Sequence, residues 1–221
     1  MTRRVVYLKA LVWAACLTPL TLLVLRANGV WAMSLGANPV EEVLNVCGKT
    51  ALNLLLLTLC ITPIRRSTGV NRLIAFRRLL GLFSFFYLVL HFLVYLFLDR
   101  AMEWRTIITD VAERPYITVG FAALLMMIPL AATSTNALQR RLGRNWGRLH
   151  RLVYVIAVLG VVHFWWQVKL DVAEPLLYAV LLTVLLGVRV KHRRDLDARR
   201  RRSSVDAKTT MAPTYQRVEP P

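Results

Sequence analysis

Charged residues are scarce in this sequence, at 19% of its 221 residues, while 57% are hydrophobic. The mean hydropathy of +0.50 is too high for an ordinary soluble domain. The net charge of +17 would suit nucleic-acid binding if the basic residues covered a soluble surface, but they form short clusters between long apolar runs. The composition therefore predicts a membrane protein with no nucleic-acid partner.

The sequence also lacks paired cysteines and nucleotide-binding motifs. Its three cysteines, Cys16, Cys47 and Cys60, form no CxxC or CxxCH pair, which excludes a disulfide framework, a zinc ribbon and covalent c-type haem. No Walker loop, GxGxxG string or internal repeat is present, and no polar stretch is long enough to fold alone. Any chemistry must therefore lie in an apolar helical bundle or in its loops.

Long apolar runs are what the sequence has in abundance. A helix needs about 20 apolar residues to cross roughly 30 Å of hydrocarbon at ~1.5 Å per residue. Six runs approach that length, which predicts an all-α, integral membrane six-helix bundle. The first run is long and no small-x-small cleavage pattern follows it closely, so it is interpreted as a span rather than a signal peptide. The six runs are 5–25, 43–64, 79–98, 116–133, 152–168 and 175–190.

Basic residues are concentrated on one side of this predicted bundle. Most lysines and arginines lie at the amino terminus, in the segments 65–78 and 140–151, and from Arg189 onward, whereas most acidic residues fall in the other loops. By the positive-inside rule both termini are cytoplasmic. We expect residues 1–194 to form the membrane domain and residues 195–221 to form a polar, disordered cytoplasmic tail that contacts membrane lipid.

Two of the four histidines, His91 and His163, lie well inside apolar runs. Polar residues deep in lipid are costly, so each is a functional hypothesis. Counted from the starts of the third and fifth runs, the two histidines lie about 16 to 18 Å into the membrane at ~1.5 Å per residue. Facing histidines at matched depth are what a bis-histidine b-type haem needs, because the iron takes one axial nitrogen from each side. The alternative is that each histidine only hydrogen-bonds a neighbouring helix.

Several small or polar residues near these histidines fit a haem site, and each also fits plain helix packing. Gly160 could admit a flat ring, since it has no side chain. Candidates for hydrogen bonding around the ligands are Ser84, Tyr87, Tyr95 and Gln167.

His150 is a separate candidate, because it lies at the start of the fifth run. At about 100° per residue it is turned roughly 140° away from the His163 face. The matching place on the third run holds Arg77 and Arg78, so a second bis-histidine haem has no obvious partner there. Four roles stay open for His150: an alternative haem ligand, a ligand at a second site, a contact to quinone or flavin, and an interfacial cap of the helix.

Three function classes are compatible with these features. The first is a haem electron-transfer subunit. The second is a proton-coupled transporter in which His91 and His163 relay protons beside Lys49, Asn53 and Gln167. The absence of inverted repeats and of intramembrane carboxylates disfavours it. The third is a structural membrane anchor for a partner protein.

Short strings lie in a fixed order among the six apolar runs. They are GANPVE at 36–41, TP at 62–63, RRLLGL at 77–82, RPYITVG at 114–120, PLAATS at 129–134 and LGRNWGRLHRLVY at 142–154. Singly they are weak, but together their order is specific. With them, the chain to about Arg194 resembles the MsrQ family, formerly called YedZ, the haem-binding membrane subunit of the bacterial periplasmic methionine sulfoxide reductase system.

The resemblance implies a ferric-reductase-like domain of the bacterial inner membrane that holds haem b. Such a chain is the electron-transfer subunit of an oxidoreductase and carries no catalytic residue of its own. It passes electrons from the quinone pool or a cytosolic flavin reductase to a periplasmic molybdopterin enzyme, MsrP, which reduces methionine sulfoxide in oxidised proteins. Family histidines match His91, His150 and His163, with the first and third as the expected iron ligands. The family is also described as binding FMN.

Overall fold

The computed structural model describes residues 3–30, 34–168 and 172–210, and no strand is present in those ranges. A 3₁₀ turn (Asn71–Leu73) precedes the third helix and a π-helical turn (Tyr95–Asp99) continues it. The α-helices are α1 (Arg3–Ala27), α2 (Pro39–Thr68), α3 (Ile74–Val94), α4 (Trp104–Glu113), α5 (Pro115–Ala132), α6 (Asn136–Leu142), α7 (Arg144–Leu149), α8 (Leu152–Gln167) and α9 (Ala173–Thr210).

Six helical segments in the described ranges are long and apolar enough to cross a membrane. The prediction of an all-α, six-span membrane protein is therefore confirmed. The short helices α4, α6 and α7 lie in segments that the sequence analysis treated as loops. The six segments are Val6–Ala27, Pro39–Thr68, Asn71–Asp99, Pro115–Ala132, Arg144–Gln167 and Ala173–Arg199.

Local sequence signals set the two ends of α2. The Asn38 side chain accepts a hydrogen bond from the Glu41 N–H, and Pro39 occupies the first turn, where a missing N–H costs nothing. At the other end Gly69 adopts a left-handed conformation with φ 71°, and its N–H donates to the Arg65 carbonyl at 3.0 Å. These caps enclose 30 residues, about 45 Å of helix at ~1.5 Å per residue, which is longer than the hydrocarbon layer.

The helix α2 lies at the centre of the bundle. Half of the residues in the most apolar stretch of α2 are buried, compared with 11% in the corresponding stretch of α1. One core cluster joins α2 to α5, α8 and α9, and a second joins it to α1 and α3. On the outer faces, large apolar side chains such as Leu11, Leu125 and Val184 are at least half exposed. A helical bundle with an apolar exterior is suited to contact with lipid tails.

The two ends of the bundle differ in charge. The basic end is defined by the α2–α3 connection with Arg65, Arg66, Arg77 and Arg78 and by α6 and α7. The acidic end is defined by Glu41, Glu42, Asp99, Asp110 and Glu174. The amino terminus of α1 and the extension of α9 lie at the basic end, because each span reverses the direction of the chain.

The segment expected to be a disordered tail is helical from residue 195 to Thr210, where it continues α9. Arginine, alanine and leucine favour helices, and a helix that is already formed extends at low cost because no new nucleus is needed. Residues 211–221 lie outside the described residues.

Candidate functional site

His91 on α3 and His163 on α8 face each other inside the bundle. Their ring centroids are 6.2 Å apart and their ring planes cross at 86°. The structure therefore brings together the two histidines for which the sequence predicted matched depth. Both lie nearer the acidic end than the basic end, since each is in the later part of a helix that runs toward the acidic end.

Each of the two imidazoles is hydrogen-bonded to the main chain of a neighbouring helix. His91 Nδ1 lies 2.9 Å from the Leu44 carbonyl oxygen on α2, and His163 Nδ1 lies 2.6 Å from the Tyr116 carbonyl oxygen on α5. A carbonyl oxygen only accepts, so Nδ1 must carry the proton in both rings. Each Nε2 is then left with a lone pair that can bind a metal ion.

A glycine lies against each of these rings. A Cβ atom on Gly48 would come within 3.1 Å of His91 Nδ1, and one on Gly120 would come within 2.8 Å of His163 Nδ1. Both distances are shorter than ordinary contacts between side-chain atoms, which begin near 3.5 Å. Neither glycine was predicted as a site residue from the sequence.

The two histidine sites have the same construction. The chain separation between the carbonyl and its histidine is 47 residues for Leu44 and His91 and also for Tyr116 and His163. In each case the glycine is four residues after the carbonyl, and a phenylalanine follows the histidine. These shared positions are the sequence signal from which the glycines could have been found, although no longer string is repeated.

A cavity of about 590 Å³ surrounds the two rings. This volume is within the range of sites that hold cofactors and other small molecules. Its deeper walls, toward the basic end, are apolar and include Leu52, Leu55, Leu88, Met127 and Ile156. Its opposite part, toward the acidic end, is lined by polar side chains that include Asn45, Lys49, Tyr95, Arg100 and Gln167.

The donor set and the spacing fit a haem iron. Nitrogen ligands bind such metals at about 2 Å and a ring centroid lies roughly 1.2 Å behind its nitrogen, so two axial imidazoles on one iron have centroids about 6.4 Å apart. The observed separation of 6.2 Å agrees with that value. In addition, the cavity provides an apolar interior for a flat ring.

The helix α4 lines the acidic end of the cavity, and a buried carboxylate attaches α4 to its neighbours. Asp110 is 4% exposed and accepts a hydrogen bond of 3.1 Å from the Tyr95 hydroxyl. Arg100 Nε forms an ion-pair contact with it at 2.6 Å and Arg114 Nε at 3.0 Å. Burial opposes the charge of Arg100, but Tyr95 and the carboxylates Asp99 and Asp110 outweigh burial and raise the pKa of Arg100 above its ordinary value. Asp110 was not predicted as a site residue from the sequence, because it lies in a segment without an apolar run.

The polar residues predicted around the histidines have separate roles. Ser84, Tyr95 and Gln167 line the cavity, and Gly160 does so too, with Leu52 packed against it. Tyr87 does not line it. The Tyr87 hydroxyl donates to the Cys16 carbonyl at 2.7 Å and accepts from the Leu20 N–H at 3.2 Å, so this side chain attaches α3 to α1.

His150 lies at the basic end and is not among the residues that line the cavity. Its Nε2 is 3.1 Å from the Thr133 hydroxyl, and its ring stacks on Trp146 with centroids 4.0 Å apart. Trp146 in turn donates to the Thr133 carbonyl at 3.0 Å. Within the described ranges, no group of three histidine, cysteine or carboxylate side chains is arranged to hold a metal ion.

Comparison with known proteins places the chain in a family. The family model of the ferric reductase like transmembrane component matches residues 47–161. Relatives from Xanthomonas axonopodis pv. citri and Ralstonia nicotianae are 53% and 54% identical over 189 and 183 residues, which are 84% and 81% of this chain and 87% and 82% of the relatives. Both are named protein-methionine-sulfoxide reductase heme-binding subunit MsrQ. This chain belongs to the MsrQ family. A Xanthomonas oryzae pv. oryzae member with the same name is 49% identical over 95% of this chain and 96% of its own.

Membership of the MsrQ family confirms the resemblance that the short strings indicated. The MsrQ relatives are bacterial, and this chain crosses the membrane as helices, whereas outer-membrane spans are β-barrels. The chain is therefore a multi-pass protein of the bacterial inner membrane.

Proposed function

We propose that this chain is a haem b electron-transfer subunit of a methionine sulfoxide reductase system, with His91 and His163 as the axial iron ligands. The observation that carries the proposal is the pair of facing imidazoles whose Nδ1 atoms are both held by main-chain carbonyls. The names of the MsrQ relatives support it. Haem bound in the cavity would supply one-electron transfer.

The residues of the cavity have three tasks in this function. The carbonyls of Leu44 and Tyr116 hold the Nδ1 protons, which keeps each Nε2 available and makes it a stronger donor. The apolar walls exclude water and lower the local dielectric, and burial of this kind tunes redox potentials. Lys49 and Arg100 line the acidic end of the cavity, where ion pairs with Glu174 and Asp110 hold both side chains in place.

The direction of electron flow follows from the predicted topology. The positive-inside rule assigns the basic end to the cytoplasm, so the histidine pair lies nearer the periplasm. Electrons would come from the quinone pool or a cytosolic flavin reductase and leave at the acidic end to a periplasmic molybdopterin enzyme of the MsrP type. Reduction of methionine sulfoxide would take place on that partner, and the result would be repair of oxidised periplasmic proteins.

The basic end has the chemistry that binding of FMN requires. Arginine suits phosphate and stacks on flat rings. Trp146 and His150 form a stacked pair there, in a segment rich in arginine. We therefore assign His150 to contact with a flavin or quinone donor in this proposal.

The transporter hypothesis is weaker, because the polar residues expected beside its relay histidines have other partners. Lys49 Nζ pairs with a Glu174 carboxylate oxygen at 2.5 Å, and Asn53 accepts a hydrogen bond of 2.8 Å from the Tyr178 hydroxyl. Gln167 donates to Asn45 at 3.5 Å. These side chains pair across helices and stabilise the bundle.

The test is the visible spectrum of the protein purified in mild detergent from haem-replete cells, before and after dithionite. We expect a b-type spectrum that sharpens on reduction, and a pyridine haemochrome assay gives the haem per chain. Reduced protein should then be reoxidised by a purified MsrP-type partner with methionine sulfoxide. A folded but colourless protein would contradict the haem proposal and favour the transporter. Coloured protein that the partner cannot reoxidise would contradict only the proposed pathway.

A further inference from the structure

We propose that two helical turns act as seats that orient the axial imidazoles. The first seat is Leu44–Gly48 on α2, and the second is Tyr116–Gly120 on α5. Each seat holds its histidine through one carbonyl and one glycine, and together they impose near-perpendicular ring planes. Gly48 and Gly120 are positioning residues in this proposal, which rests on the proposed haem function.

The physical reason for glycine is the geometry of one helical turn. In a helix, the carbonyl of residue i accepts from the N–H of residue i+4, and its second lone pair remains available. The Leu44 and Tyr116 carbonyls use that lone pair for a histidine Nδ1. The residue at i+4 lies directly beside this carbonyl, so its Cβ would obstruct the approaching ring. Glycine at i+4 removes the obstruction.

The space between the glycine and the imidazole is smaller at Gly120 than at Gly48. At Gly120 an added Cβ would lie 2.8 Å from His163 Nδ1 and 2.9 Å from Cε1, so the imidazole would have to move. At Gly48 an added Cβ would lie 3.1 Å from the same two atoms of His91, so a shift of a few tenths of an ångström is enough. We therefore expect a graded response, with the larger effect at Gly120.

The crossing angle gives the seats a spectroscopic signature. Each Nδ1–H···O bond restricts rotation of its ring, and the two rings cross at 86°. Perpendicular axial imidazoles leave two iron d orbitals nearly equal in energy, which gives ferric low-spin haem a highly anisotropic electron paramagnetic resonance signal. Parallel rings give an ordinary rhombic signal. Hydrogen bonding to the ligands also tunes the potential.

The experiment compares Gly120→Ala and Gly48→Ala with two matched glycine controls in the full-length protein. Gly81→Ala on α3 places its Cβ 3.9 Å from Thr58, an ordinary contact, and Gly187→Ala on α9 meets nothing within 4 Å. Alanine favours helix more than glycine does, so weaker helix propensity cannot explain a loss. The measurements are haem per chain, haem transfer to excess apomyoglobin, the resonance spectrum and the midpoint potential.

We expect the unsubstituted protein to give the highly anisotropic signal. Gly120→Ala should weaken haem retention by about 10-fold or more, the scale seen when groups that orient metal ligands are altered. Gly48→Ala should keep haem with a less anisotropic signal and a raised midpoint potential, because a weaker Nδ1–H···O bond makes the imidazole a poorer donor to ferric iron. Both controls should match the unsubstituted protein.

Each contrary outcome has a distinct meaning. If Gly120→Ala fails to fold, the midpoint potential and the resonance spectrum of Gly48→Ala test the proposal instead. Unchanged haem retention, midpoint potential and resonance spectrum in Gly120→Ala and Gly48→Ala would overturn the proposed seats but not the haem function. The same conclusion would follow if Gly81→Ala changed these properties as much as the seat variants do. A rhombic signal in the unsubstituted protein would overturn the perpendicular arrangement. Absence of haem from the unsubstituted protein would instead refute the proposed function.

Discussion

At the scale of single residues, the chemistry depends on which nitrogen of each histidine carries the proton. Main-chain carbonyls hold Nδ1 of His91 and of His163, so both rings present Nε2. A main-chain carbonyl cannot be removed by substitution, so the backbone arrangement fixes the tautomer of each histidine. The histidine side chains, in contrast, can be replaced.

Replacing either histidine of the facing pair should abolish the low-spin haem spectrum. In His91→Ala or His163→Ala one of the two imidazole nitrogens is lost, and no other histidine of the described residues lines the cavity. The measurement is the reduced-minus-oxidised visible spectrum, normalised to folded protein by size-exclusion chromatography. His192→Ala, in the basic extension of α9, is the control and should retain the spectrum. Normal haem content in His91→Ala would show that the ligand assignment is wrong.

At the scale of elements, two contacts attach peripheral helices to the site. The first is the carboxylate of Asp110, which links α4 to the π-helical turn after α3 and to the start of α5. The apolar face of α4 contributes Trp104, Ile107 and Val111 to the cavity wall. Loss of this carboxylate therefore affects both stability and closure of the cavity.

Asp110→Asn should lower the free energy of unfolding by about 3 kcal/mol, because it leaves the partly buried charge of Arg100 without its closest carboxylate. Thermal or chemical unfolding of the purified protein in detergent measures the change. Glu103→Gln, an exposed carboxylate just before α4, should change stability by no more than about 0.5 kcal/mol. Equal stability of the two variants would mean that Asp110 does not hold α4.

The second contact is Tyr87, which attaches α3 to α1. Tyr87→Phe keeps the ring but removes two hydrogen bonds to α1, so we expect a loss of about 1 to 2 kcal/mol in the free energy of unfolding. Haem per chain should stay the same, since the hydroxyl lies outside the cavity. The matched control is Tyr7→Phe on α1, where the side chain is 71% exposed. Haem loss with unchanged stability would instead assign Tyr87 to the haem site.

At the scale of the whole molecule, charge is separated between the two ends of the bundle. This separation predicts which end faces the cytoplasm, because lysine and arginine are retained on that side during insertion. In the proposed function, this orientation would place the histidine pair on the side of the periplasmic electron acceptor, since the pair lies nearer the acidic end.

Labelling of single cysteines tests this orientation in a variant without the three native cysteines. Glu103→Cys at the acidic end should react with a membrane-impermeant maleimide in intact spheroplasts. Arg141→Cys at the basic end should react only after the membrane is opened. Both positions are exposed, so accessibility within the protein does not limit either reaction. The reverse pattern would invert the topology and place the histidine pair near the cytoplasm.

Much of the architecture could be predicted from the sequence, because length and apolarity are local properties. The six spans were identified with ends that differ by one to nine residues from those of the structure, and His91 and His163 were paired by depth alone. Gly48, Gly120 and Asp110 were missed, since each acts on a residue of another helix. Tyr87 was placed near the site by helical spacing, but spacing does not tell which neighbouring helix a side chain meets.

The sequence by itself determined the helical class, the six spans, the family and the choice of histidines. It did so because burial in lipid requires long apolar helices and leaves few ionisable residues to consider. Only the tertiary structure decided that the ring planes cross at 86°, that the Leu44 and Tyr116 carbonyls hold the rings, and that α4 lines the cavity. These features depend on the packing of helices distant in the chain, and a distance of a few ångströms between such helices has no local sequence signal.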